Sequence, residues 1–319
     1  MFKNSKIYVA GHTGLLGSAI SRKLKEHGNS RVIEKAHTEL DLTDKRAVFE
    51  FFSTERPEYV FLCAGKVGGI VSNKTYPADY LHINIAIQDN VFEAAQKYEV
   101  KHLLFYGSSC IYPKFSLQPI KEKYLLNGPL EETSEGYATA KIAGITACKA
   151  YNLQYETNRF IALIPNSMYG PNDNFNIESC HVLSALVYRF HEAKINNTQS
   201  VTLWGSGKPR REFIFSEDVA KASLFAMEHV EQLENRHYNV GTGVDYSIKE
   251  LAASVAETVG YEGKILWDMS KPDGAAQKLL DSSKFLSLGW EPIVSLEEGL
   301  KRTYEWYLRQ SLVGQSSDN

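Results

Sequence analysis

The chain has 319 residues, 43% of them apolar and 23% charged, with a formal net charge of −3. That is the balance of a globular protein built as one large domain or two lobes. It lacks the basic excess of a general nucleic-acid binder, and no apolar run is long enough to span a bilayer. The N-terminus, "MFKNSKIYVAG", runs straight into a strand pattern without the features of a signal peptide. Cys63, Cys110, Cys148 and Cys180 lie far apart and form no CxxC pair. They read as thiols of a reducing compartment, and the expected location is cytoplasmic, with no disulfide and no zinc site.

In chain order, "KIYVAG" predicts a strand and "GLLGSAISRKLKEHG" an amphipathic helix ended by glycine. "RVIE" follows as a short strand. Thr43 is expected to cap the helix of "DKRAVFEFF". "YVFLCAG" has the continuous apolar character of a strand buried on both faces. A long helix over 77–98, the strand "HLLFYG", a helix in "EGYATAKIAGITACKAYNLQY" and the strand "NRFIALIP" complete a β-α-β rhythm. The rhythm predicts an α/β fold with a doubly wound parallel, Rossmann-type sheet.

After Pro165 the pattern loosens. "NSMYGPNDNFNIESC" reads as an excursion and "HVLSALVYRFHEAKI" as a helix. "VTLWGSGKPRREFIF" reads as two strands around a glycine-rich turn. Ser216, Ser247 and Ser295 are placed to cap three further helices, and the polar tail 314–319 is expected to fray. These segments predict a smaller mixed α/β C-terminal lobe. The expected division is 1–165 plus 213–243 for dinucleotide binding, and 166–212 plus 244–319 for substrate.

"VAGHTGLLGSAI" sets Gly11, Gly14 and Gly17 after the first strand and at the head of the first helix. Glycines there allow a tight turn and close approach of a pyrophosphate, which the helix N-terminus attracts. A glycine pattern alone is weak evidence, but the strand–loop–helix setting makes dinucleotide binding the better reading. Thr13 and Leu15 lie inside the loop, and Asp41 of "ELDLTD" is expected near the adenine. Glu34 stands where an acid would hold a ribose hydroxyl of NAD. Arg31, Lys35 and His37 crowd the same segment and could pair a 2′-phosphate. The reading is NADPH, with NADH left open.

"YATAK" puts Tyr137 and Lys141 on one helix face. An ammonium beside a phenol favours the phenolate and makes the tyrosine usable in proton transfer. Ser108, at the end of the preceding strand, could bond the same substrate oxygen. Tyr-x-x-x-Lys arises often by chance on surface helices; behind a glycine loop and a strand ending in serine it points to catalysis. The G-x-x-G-x-x-G spacing and this trio resemble the extended short-chain dehydrogenase/reductase family. The resemblance implies nicotinamide hydride chemistry at an alcohol or ketone carbon, with Tyr137 exchanging the proton and Lys141 also holding the nicotinamide ribose.

A plain reductase needs no thiol in "GSSCIYP". A 4-keto sugar, however, has acidic protons at C3 and C5, which a base and an acid on opposite faces could invert. Cys110, two residues past Ser108, and His181 in "ESCHVLSAL" could form that pair. Taken singly, Cys110 reads as a packed thiol and His181 as a helix-start residue. His12 could touch cofactor, and Cys180 is a decoy beside His181.

Longer strings add to this: "GKVGGI", "GSSCIYP", "QPIKEKYLLNGPLEETSEGYATAKIAGI", "YGPNDNF", "GKPRREFIFSEDVA" and "KPDGAAQKLLD" resemble the GDP-L-fucose synthase family over nearly the whole chain. The resemblance implies an NADPH-dependent 3,5-epimerase/4-reductase of a GDP-4-keto-6-deoxy sugar. Ser108, Tyr137 and Lys141 would be its triad, and Cys110 and His181 its epimerising pair. Arg189, Arg211 and Lys278 match the family's basic residues near the diphosphate and sugar. Trp204 could pack on the base or ribose, and no metal is implied. It further implies a homodimer built from the helices near 77–98 and 135–153, although Ile83, Ile87, Ile142 and Ile145 would fit packing on the sheet equally well.

Departures are visible. Asn166 and Ser167 stand where the family has Thr and Asn, which leaves open a GDP-4-keto heptose or a dideoxy sugar as substrate. Thr13 and His37 stand where it has arginines, which weakens the grip on a 2′-phosphate. Two rival readings remain at this stage: a 4-reductase without epimerisation, and a dinucleotide-sensing scaffold.

Overall fold

The structure is a computed structural model that describes residues 2–271 and 273–316, with side chains to residue 310. The strands are β1 (Ile7–Ala10), β2 (Val32–Ile33), β3 (Tyr59–Leu62), β4 (His102–Tyr106), β5 (Phe160–Pro165) and β6 (Ser167–Tyr169). They continue with β7 (Ser200–Trp204), β8 (Arg210–Phe215), β9 (His237–Val240), β10 (Asp245–Ser247), β11 (Lys264–Asp268) and β12 (Gln277–Lys278). The helices that matter here are α1 (Leu15–Glu26), α2 (Lys45–Glu55), α3 (Ile70–Thr75), α4 (Pro77–Lys97), α5 (Glu135–Gln154) and α6 (Val182–Ile195). After them come α7 (Ser216–Glu228), α8 (Ile248–Val259), α9 (Ser283–Leu286) and α10 (Leu296–Ser316).

Six parallel strands form the main sheet in the order β2-β1-β3-β4-β5-β9. The continuous apolar runs predicted for β1, β3 and β5 are buried throughout, as parallel strands covered by helices on both faces must be. Alternation sorts their side chains. Ile7, Val9 and Phe61 join the layer beneath α1 and α7, whereas Tyr8, Val60 and Leu62 join the layer under α2, α4 and α5. The chain reverses its direction of travel across the sheet between β1 and β3. A crevice therefore opens at their C-terminal ends, where doubly wound folds bind ligands.

A second body of structure carries its own core, with Leu183, Phe190, Phe213, Val255 and Leu300 packed together. The two strands around the glycine-rich turn do not pair with each other. β7 lies parallel to β11, whereas β8 is flanked by β10 and β12 and also pairs β6. Gly205 and Gly207, with φ of 78° and 72°, allow the chain to pass from one sheet to the other.

Helix starts differ in part from expectation. Asp44, not Thr43, caps α2: its Oδ1 accepts from the N–H groups of Arg46 and Ala47 at 2.8 and 3.1 Å. Thr43 is instead drawn to Asp41, donating through its N–H at 2.8 Å and its hydroxyl at 2.7 Å. Ser216 is the first residue of α7, not its cap. Ser247 forms a full capping box with Glu250, and the Ser295 hydroxyl accepts from the Glu298 N–H at 3.2 Å. The backbone of 314–316 continues α10, and the rest of the polar tail lies outside the described residues.

All four cysteines are free thiols. Among the described residues no helix is long and apolar enough to cross a membrane, and no cluster of metal-ligating side chains occurs. Ile87 and Ile145 are buried within the chain, with Ile83 and Ile142 packed against the same layer. Phe52, 0% exposed, anchors α2 to the sheet. Phe52→Ala is expected to cost about 3–5 kcal/mol of stability, read as a lower denaturant midpoint.

Candidate active site

The crevice begins at the glycine loop. Gly11 has a φ of 80°, and a Cβ on Gly17 would lie 2.1 Å from the Gly11 carbonyl oxygen. Loop and helix can meet only without that side chain. Gly14 heads α1 without a side-chain cap, and no acid sits in the first turn. The opening N–H groups therefore stay available to an anion, and the cradle fits a pyrophosphate. The buried Nδ1 of His12, which has no hydrogen-bond partner, lies in the same loop. Gly17→Ala is expected to weaken dinucleotide binding by about tenfold or more, about 1.4 kcal/mol, in a fluorescence titration.

Thr13 is exposed and Leu15 half-buried beside this loop. Beyond β2 the charged residues pair among themselves. Lys25 binds Glu34, Lys35 reaches Glu39 at 3.2 Å, and His37 Nδ1 stands 3.9 Å from Asp41. Bonds from the Thr43 N–H and hydroxyl hold the Asp41 carboxyl below its ordinary pKa.

Ser108, Cys110, Tyr137 and Lys141 come together at the end of β4. Ser108 is extended, and a short 3-10 turn over Ser109–Ile111 folds Cys110 back toward it. The Ser108 hydroxyl lies close enough to the Cys110 thiol and to the Tyr137 phenol to favour the ionised form of each. Gln88 of α4 donates to the Ala140 carbonyl at 2.9 Å, which fixes α5 and presents Tyr137 and Lys141 to the crevice. The Lys141 ammonium lies 4.8 Å from the Phe105 ring centroid and 5.7 Å from that of Tyr137.

Burial dominates the electrostatics here. It lowers the Lys141 pKa to about 8, against the opposing pull of Cys110 and Cys63. It raises the Tyr137 phenol well above its ordinary value. The expected lysine-driven drop in the tyrosine does not occur, and burial keeps Tyr137 protonated, the state a proton donor requires. Burial also raises the Cys110 thiol, while the Lys278 and Lys141 ammoniums and the Ser108 bond pull it back down.

His181 is exposed and heads α6. The excursion before it is stitched to the loop after β3, with the Gly69 N–H donating to the Ser179 carbonyl at 2.8 Å. That loop leads through α3 to α4, whose Tyr80 packs edge-on against Tyr137 with ring centroids 6.2 Å apart. Asp173 interacts electrostatically with His181 and accepts a 2.5 Å bond from Ser184. Among the described residues no hydrogen bond or ion pair joins His181 to Cys110 or Tyr137.

The cations divide clearly. Arg210 is held by Asp245 and Glu250 at 2.9 and 3.3 Å. Arg211 is largely buried, bonds only the Arg210 carbonyl at 2.7 Å, and sits opposite Lys278 across β8 and β12. Among the described residues neither Arg211 nor Lys278 has a carboxylate in ion-pair contact, and burial lowers both pKa values. Such half-buried cations without a carboxylate partner suit a phosphate or an anionic intermediate. Arg189 is half-buried on α6 and bonds the Thr202 carbonyl at 3.5 Å. Trp204 is 61% exposed at the tip of β7, with the Lys271 ammonium 5.6 Å from its ring centroid. Asp273 accepts from Ser206 beside that tip, and the adjoining Gly274 approaches the Arg211 guanidinium. The loop before β12 thus links Trp204 to Arg211.

Sequence reasoning missed three residues. Tyr80 and Asn84 read as ordinary helix residues; yet Asn84 lies against Gly65, near the Lys141 ammonium. Glu212 is fully buried, accepting from the Gly243 and Leu280 N–H groups at 2.7 and 3.0 Å and from the Asn166 amide. Asn166 is thereby turned into the protein, leaving Ser167 as the altered position that is half-buried. The one available signal for Glu212 was a carboxylate alternating with apolar residues along a strand.

Comparison with known proteins agrees with this geometry. The sequence pattern of the NAD dependent epimerase/dehydratase family matches residues 7–241. The chain is 54% identical to GDP-L-fucose synthase 1 of Arabidopsis thaliana over 307 residues, covering 96% of this chain and 94% of the relative. It is 49% identical to the GDP-L-fucose synthase of Escherichia coli K12 over 310 residues, covering 95% and 96%. A solved structure of a GDP-mannoheptose C4 reductase from Campylobacter jejuni with NADP bound overlays with a TM-score of 0.89 at 41% identity, covering 97% of this chain and 99% of that one. A glycine cradle, a Ser-Tyr-Lys trio and a thiol beside its serine thus occur in a chain that belongs to the NAD dependent epimerase/dehydratase family and, within it, to the GDP-L-fucose synthases.

Proposed function

We propose that the protein is an NADPH-dependent epimerase/reductase of GDP-4-keto-6-deoxymannose, which inverts C3 and C5 and reduces C4. One observation carries the reading: the Ser108 hydroxyl acts on both the Cys110 thiol and the Tyr137 phenol, so the two groups stand together at the end of β4, where one substrate ring could meet both. The dinucleotide, held by Gly11, Thr13, Gly14, Leu15 and Gly17 with Lys35, His37 and Asp41 toward the adenosine, supplies the hydride. NADP in the Campylobacter reductase supports the phosphorylated form.

The chain's own residues do the rest. Cys110, whose thiolate Lys278 and Lys141 favour against the opposing effect of burial, removes the acidic proton beside the ketone, and His181 returns one to the opposite face. Tyr137 donates its proton to the C4 oxygen, Ser108 orients that oxygen, and Lys141 supports the phenol and the nicotinamide ribose. Arg211, Arg189 and Lys278 neutralise diphosphate and enolate charge, and Trp204 covers the base or ribose. Residues 1–165 with 213–243 form the cofactor half and 166–212 with 244–319 the substrate half. A homodimer across α4 and α5 is supported by the exposed Ile85, Leu153 and Tyr155 on these helices. The free thiols fit a cytoplasmic location.

The test is turnover of GDP-4-keto-6-deoxymannose with NADPH in heavy water, followed by NMR. Cofactor oxidation with deuterium at C3 and C5 is expected. Reduction without deuterium would leave a plain 4-reductase, and NADPH binding without turnover would leave a sensor. Ser167, together with the heptose-acting neighbour, favours a second reading in which the sugar is a GDP-4-keto heptose. Competition between the two sugars decides it.

A further inference from the structure

Glu34 raises a question that the catalytic residues leave untouched. An acid just past the second strand, about 20 residues beyond the glycine loop, usually binds the ribose hydroxyls of NAD. The same carboxylate would repel the 2′-phosphate of NADPH. Glu34 lies near His12 of that loop, which places it on the cofactor side of β2. Its charge is nonetheless engaged. Lys25, one residue before the end of α1, donates to Oε1 and to Oε2 of Glu34, each at 2.9 Å. One ammonium thus occupies both carboxylate oxygens and aims the group back along α1.

We propose that Lys25 is a specificity-determining residue for the cofactor: by holding Glu34 against α1 it clears the ribose 2′ position for a phosphate. This rests on the NADPH reading above. The other cations nearby give no strong unpaired anchor. Lys35 is engaged with Glu39, His37 faces Asp41, and Arg31 donates to the Asn4 carbonyl at 3.0 Å. Selection here works by withdrawing an acid more than by gripping a phosphate, so the preference for NADPH over NADH is modest.

The experiment is a fluorescence titration of NADPH and NADH into wild type, Lys25→Met, Glu34→Gln and the double variant. Lys25→Met frees the carboxylate and is expected to weaken NADPH about three- to tenfold while tightening NADH about two- to threefold. Glu34→Gln alone should keep NADPH within about twofold of wild type, and the double variant should recover it to the same level, because no acid remains to repel. An unchanged NADPH/NADH ratio in Lys25→Met overturns the inference. A double variant as weak for NADPH as Lys25→Met overturns it too, since Lys25 would then touch the phosphate itself. Wild type that binds neither nucleotide would overturn the cofactor reading, and this inference with it.

Discussion

Tyr137→Phe is expected to slow reduction of the 4-keto group about 10²–10⁴-fold while leaving cofactor and GDP-sugar affinity within about twofold. The ring stays, so its edge contact with Tyr80 and the fit of α5 against α4 survive. Only the proton that must reach the C4 oxygen is gone. Deuterium exchange at the epimerised carbons should continue, because the thiol and imidazole are untouched. Slowing of reduction and exchange together would assign the phenol a role in both halves. The pH profile has a direction as well. Lys141 titrates at about 8, so it is cationic below that value and neutral above it. Reduction should therefore decline as pH rises through about 8, read as the alkaline limb of log kcat.

Cys110→Ser is expected to do the opposite. Exchange of ring protons should fall about 10²–10⁴-fold, because a serine hydroxyl is far harder to ionise than a thiol that two nearby ammoniums help to deprotonate. Hydride transfer to C4 should persist at a reduced rate and give a product of unchanged configuration at C5, free of deuterium. The substitution is nearly isosteric and keeps a donor for the Ser108 hydroxyl, so the fold and the phenol are spared. Continued inversion at the wild-type rate would remove the thiol from the mechanism.

The parallel sheet was legible because its strands are apolar on both faces, and the glycine loop because its backbone admits no side chain. Tyr137 and Lys141 were legible as a helix face. What stayed hidden depends on contacts between distant segments. Thr43 lost its cap to Asp44 because Asp41 captured it first. Burial reversed the expected shift of Tyr137, and burial is set by elements that the local sequence does not contain. Glu212 drew no reading from its own segment, because the groups that bury and satisfy it come from Leu280 and Gly243, far along the chain. Lys278 was found through resemblance, and its pull on Cys110 shows only when β12 is seated beside β8.

That seating has a consequence for how the molecule is made. Ile120 donates to the Leu279 carbonyl at 2.7 Å and accepts from the Asp281 N–H at 2.8 Å, and Asn239 bonds the carbonyls of both Ile120 and Asp281. As the nascent chain leaves the ribosome, the segment following Cys110 must wait for some of the last residues to emerge before it can lock. Until then the turn that carries Cys110 lacks the partners that seat Lys278 beside it, so this part of the site closes late in synthesis.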